Sequence, residues 1–162
     1  MSPYPIIISF VQTVRGQGFI ARVHGDARVL IELVENEWIC SGVEPGGLSE
    51  AGNDPRQAGL AYRLLLGQTL NDLAAEARNL VEFRAQASMV ISTVHRENLK
   101  RWDEAVAAFR CAQEPPADGV EDLPRKQAES VRKIVIETKA MEVEDLPEYS
   151  AAMAVPNHRK AA

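Results

Sequence analysis

Residues 53–55 read Asn-Asp-Pro, and this triplet constrains the chain more than any other part of it. Proline lacks a backbone N–H and has φ fixed near the helical value, so it fits the first turn of a helix and little else in regular structure. Asn53 or Asp54 offers the side-chain oxygen that caps such a turn. The triplet is a switch point. Before it the chain is rich in β-branched residues punctuated by glycine; after it apolar residues recur every three or four positions.

Before the switch, residues 5–14 read as a strand that Gly16-Gln17-Gly18 breaks. Residues 19–24 read as the next, with Gly25-Asp26 predicting a further break. Over residues 28–34 the side chains alternate, with Val29, Ile31 and Leu33 on one face and Arg28, Leu30, Glu32 and Val34 on the other. Apolar Leu30 and Val34 on that second face predict that both sides of this strand are partly covered. Glu35-Asn36-Glu37 reads as a turn, 38–43 as a strand anchored by Trp38, and 48–51 as a further short strand. Connections this short place consecutive strands antiparallel.

After the switch, Tyr62, Leu66, Leu70, Leu73, Ala77 and Leu80 share one helical face, which Leu65 widens. Asn79 is positioned to interrupt that helix. Two more apolar series follow, Phe83, Ala87, Val90, Ile91 and Val94, then Leu99, Trp102, Val106 and Phe109, with Ser92 or Thr93 between them to end one helix or cap the next. The fold class expected is α+β, an N-terminal antiparallel sheet of four to five strands with two to three helices packed on it. Residues 1–113 form that core and its helical extension. Residues 114–124, with Pro115-Pro116 and Gly119, read as a linker, 125–150 as an appendage in which a helix leads into a short strand, and 151–162 as a disordered tail. A five-residue repeat, Val-Glu-Asp-Leu-Pro at 120–124 and 143–147, is too short to build a solenoid.

Charge narrows the partners. The formal net charge is −5, and residues 1–54 hold 3 basic and 7 acidic side chains, a net of −4. No segment has the basic excess that a phosphate backbone demands, so direct nucleic-acid binding is not expected. Residues 1–9 carry no positive leader and the apolar run 6–8 is too short to span a bilayer, so a cytoplasmic chain with no membrane contact is expected.

Chemistry is scarce. His24 at a strand end, His95 near a helix start and His158 lie at no metal-ligand spacing from one another or from cysteine. Cys40 and Cys111 form no CxxC pair and are read as two buried thiols. No phosphate-binding loop, dinucleotide fingerprint or nucleophile elbow occurs; Gly16-Gln17-Gly18 precedes a strand where the fingerprint needs a helix. The paired acids Glu35/Glu37 and Asp103/Glu104 fall on a predicted turn and a helix surface, where they stay solvated. The expectation is no catalytic residue, no metal and no cofactor.

The stretch 28–73 resembles the HicB-like antitoxin family. The likeness lies in the strand–turn–strand with Trp38, the loop Glu44-Pro45-Gly46-Gly47-Leu48, the short segment ending at Gly52, and the capped helix opening Asp54-Pro55-Arg56-Gln57-Ala58. Gly47 stands where the family has Cys or a small residue, and Gln57-Ala58 where it has Glu-Ala. The resemblance implies a double-stranded-RNA-binding-domain-like core and no catalysis. It also implies a role in neutralising a small basic toxin that cleaves RNA, by covering its surface. Pro45, Gly46, Gly47, Gly52, Asp54 and Ala58 are then the structural motif, and the acidic sheet offers Glu35, Glu37, Trp38 and Glu44 to a partner. The typical DNA-binding appendage has no counterpart in the pattern of residues 83–143. A homodimeric structural or regulatory protein is the alternative reading, and a small-molecule enzyme a more distant one.

Overall fold

The computed structural model describes residues 2–111 and the backbone of residues 135–140. The expected linker 114–124, the helix expected in the 125–150 appendage and the tail 151–162 lie outside the described residues.

Four strands, β1 (Tyr4–Gly16), β2 (Phe19–Val34), β3 (Glu37–Glu44) and β4 (Gly46–Gly52), form an antiparallel meander in the order β1-β2-β3-β4. Helices α1 (Pro55–Glu76), α2 (Leu80–Ile91) and α3 (Arg96–Cys111) follow, and β5 (Val135–Ala140) returns to pair with β2. The α+β architecture therefore stands as expected, with four meander strands and a fifth from later in the chain.

β2 organises the sheet. Residues 19–31 pair with β1, while the other side is divided, residues 28–34 to β3 and residues 19–24 to β5. The break expected at Gly25-Asp26 does not occur. β1 supplies a partner for every residue there, Gly25 opposite Phe10 and Asp26 opposite Ser9, and the Ser9 hydroxyl donates to Asp26 Oδ1 at 2.6 Å. Cross-strand partners outweigh the weak strand preference of Gly and Asp. His24 consequently sits mid-strand, not at a strand end. The turns are tight: Gln17-Gly18, with Gly18 at φ 74°, joins β1 to β2, and Glu35-Asn36, at φ 49° and 71°, joins β2 to β3.

Both faces of the sheet are covered. On the first face α1 and α2 bury Ile6, Ile8 and Phe10 of β1 and Val23, Val29 and Ile31 of β2 under Tyr62, Leu66, Leu70 and Phe83. Phe19 and Phe83 stack with ring centroids 5.4 Å apart. On the second face α3 lays Trp102 and Ala105 over Ile7, Leu30 and Val43, with Leu99 and Val106 at the margin. The alternation in β1 and β2 forces this division, since neighbouring residues point to opposite faces.

Helix boundaries follow their caps. Asp54 Oδ1, not Asn53, accepts from Gln57 N at 2.7 Å, and Pro55 takes the first helical position. Asn79 does interrupt the helix, since its Oδ1 accepts from Glu82 N at 2.9 Å and opens α2. Ser92 closes α2, but neither it nor Thr93 opens α3; the imidazole Nδ1 of His95 does, accepting from Asn98 N at 3.2 Å. At the far end of α3 Cys111 is exposed, so only Cys40 is a buried thiol, and both are free.

Candidate functional site

The Pro-Gly loop of the motif lies where the chain passes from one face of the sheet to the other. Segment 42–46 is a hub. From the first face, the Tyr62 hydroxyl of α1 donates to Pro45 O at 3.1 Å. From the α2–α3 connection, His95 N donates to Val43 O at 3.0 Å, and Gly46 N donates to Thr93 O at 2.7 Å. From the second face, Asn98 Nδ2 of α3 donates to Gly42 O at 2.9 Å. A loop that binds three elements through its own backbone leaves few buried polar groups unpaired.

Each motif residue has a structural duty here. Pro45 is buried, follows a cis peptide bond and presents its carbonyl to Tyr62. A Cβ at Gly46 would run into the His95 backbone and side chain, so only glycine lets the crossover approach. Gly47 holds φ 83°, a region costly for residues with a Cβ. At Gly52 a side chain would strike the backbone of Gln57 and Ala58 at the start of α1. Asp54 caps that helix, and Ala58 is fully buried against the sheet. The motif residues thus form one contiguous framework.

The acidic candidates separate into two kinds. Glu44 is bound to Arg28 at 2.5 Å, and Glu32 beside it on β2 is bound to Arg101 of α3 at 2.5 Å. The first pair ties β3 to β2 and the second ties α3 to the sheet, so both carboxylates are engaged. Glu35 and Glu37, by contrast, are exposed at the β2–β3 tip. Trp38 is half-buried and packs against the margin of the main cluster, opposite Leu33 across the hairpin. Leu33 and Val34 are exposed large apolar residues. The tip therefore presents two carboxylates, two aliphatic side chains and the open part of an indole within a few residues. Sequence reasoning placed Glu35, Glu37 and Trp38 there but assigned Leu33 and Val34 to covered faces. The signal it lacked was length: β2 extends past the last residues that α1 and α3 reach.

Reactive chemistry is muted. Cys40 lies under α1, and burial pushes its thiol well above the ordinary range, so it stays protonated and inert. Burial, and secondarily the neighbouring Cys40, raises the Tyr62 phenol, which holds it as a donor to Pro45. Among the described residues, no group of three or more His, Cys, Asp or Glu could hold a metal ion, and no helix is long and apolar enough to cross a membrane.

No known protein family, curated protein or solved structure matches the chain.

Proposed function

We propose that this chain is a protein-binding module of the HicB-like antitoxin type, which docks a small basic RNA-cleaving partner on its β2–β3 tip and covers the partner's active surface. The observation that carries the reading is the tip itself, where exposed Glu35 and Glu37 flank exposed Leu33 and Val34 and half-buried Trp38. Carboxylates of this kind speed encounter with a basic surface and select against acidic ones, while adjacent apolar groups and an aromatic anchor supply the contact. The motif resemblance over residues 28–73 supports the same reading, with a double-stranded-RNA-binding-domain-like core as its fold. Partner and module meet in the cytoplasm, and the module performs no catalysis. Glu44 is left out of the docking set because Arg28 already engages it.

The test is isolation of the tagged chain from its native host. The expected result is one stoichiometric small basic protein whose RNA cleavage is suppressed in the complex. Glu35→Lys with Glu37→Lys should release it, and added salt should slow its association. A partner retained in full by that double variant, or one without RNA-cleaving activity, would contradict the proposal.

A further inference from the structure

The two edges of the meander are treated differently. β4 is short, its register with β3 shifts between Ser41 and Val43, and α1 lies against it. Irregularity and cover of this kind blunt an edge against further pairing. β1 has neither. It runs 13 residues in unbroken register with β2, and among the described residues no other strand pairs with it. Its single charged residue is Arg15, next to its end, and Pro5 stands near its start. Between them lie nine residues with no charge, proline or bulge. Gly16 and Phe19 close the two-residue turn, so backbone groups of Gly16, Val14, Gln12, Phe10 and Ile8 point to β2. Those of Ile7, Ser9, Val11, Thr13 and Arg15 point outward. Val11, near the middle of this outward row, is 67% exposed.

We infer that β1 pairs antiparallel with β1 of a second copy, about a two-fold axis at Phe10, making one continuous sheet across a homodimer. The register with full overlap sets Val11 opposite Ser9 of the other copy, and Thr13 opposite Ile7. Arg15 then arrives beside Pro5 of the other copy, at the end of the strand where Ser2 and Pro3 form a notch with Arg101 and Glu104 of α3. Arg101 is already bound to Glu32, whereas the ion pair of Glu104 with Lys100 is long, at 3.9 Å, and largely exposed. Arg15 of each copy therefore faces Glu104 of the other, twice per dimer. A parallel pairing would instead set the two Arg15 side by side, a like-charge contact. Charge thus selects both a second copy and its direction. This interface lies on a different edge from the hairpin tip and holds whether or not the docking proposal does.

Sedimentation of the full chain over a wide concentration range tests it. The wild type should be a dimer. Val11→Lys, at an exposed position that leaves the monomer's circular dichroism unchanged, should weaken dimerisation at least ~tenfold by setting charge on the paired edge. Arg15→Glu and Glu104→Arg should each weaken it, and the two together should restore it. Val81→Lys, at an exposed site on α2 away from the edge, should leave it unchanged. A wild type that stays monomeric overturns the inference, as does a dimer indifferent to Val11→Lys or a charge swap that fails to rescue.

Discussion

The two faces of the sheet are built on different scales. Among the described residues, the first face joins 20 buried residues from the meander, α1 and α2 into one cluster, and the second joins 5 beneath α3. The first is held by shape: stacked Phe19 and Phe83, and a row of Leu66, Leu70 and Ala74 over β-branched strands. The second is held by fewer apolar contacts and more specific polar ones, with Arg101 on Glu32 and Asn98 on Gly42 O. Hydrophobic stabilisation scales with buried area, so the first face carries global stability. The second is an added layer that can open by itself, because few buried contacts mark the low-stability parts of a fold. The 42–46 hub is the joint between them.

Four substitutions would sharpen or break that contrast. The largest effect belongs to Phe83→Ala, which removes a fully buried ring from the first face and should cost about 3–5 kcal/mol in denaturant-induced unfolding. Trp102→Ala removes a ring of greater volume from the second face, yet should cost only about 2 kcal/mol, since α3 can detach without leaving a closed cavity. If the Trp102 variant proves as destabilised as the Phe83 variant, the faces are one cooperative unit. Tyr62→Phe deletes the bond to Pro45 O and leaves that carbonyl unpaired, for a loss of about 1–2 kcal/mol, read from the same unfolding curves. The smallest effect concerns the entry to α2. Arg78 bonds the Glu82 carboxylate through side chain and backbone and lowers its pKa. A carboxylate lowered in the folded state stabilises above its unfolded value and loses that contribution as pH falls through the folded value. Glu82→Gln should therefore narrow the stability gap between neutral and acid pH slightly, and an unchanged gap would remove this pair from the account.

Much of this was legible beforehand, for identifiable reasons. The helix start expected at Asn53 or Asp54 followed by Pro55 is where α1 opens, with Asp54 as the cap, because a cap and a fixed φ act locally. Of the expected turn Glu35-Asn36-Glu37, the first two residues turn and Glu37 opens β3, and Asn79 broke the helical run where expected. What escaped was set at a distance. Gly25-Asp26 looked like a break and became mid-strand because Phe10 and Ser9 of β1, distant along the chain, pair with it. Leu30 hinted at a covered second face, but nothing local said that the third helix would supply the cover. Cys111 looked like a core thiol and is exposed, since periodicity near a helix end does not tell where the partner surface stops. The motif residues fall at the turn from β3 into β4, at the end of β4 and at the start of α1. Their joint role as a crossover hub depends on Tyr62, His95 and Asn98, whose contacts no spacing rule links to Pro45.

Native-state hydrogen exchange, resolved along the chain, addresses the unequal faces most directly. The α3 amides should exchange through an opening about 2 kcal/mol cheaper than the one that exposes α1, with Trp102 becoming solvated in the same event and the first-face strands still protected. Equal protection of α1 and α3 across denaturant concentrations would contradict a separable second layer.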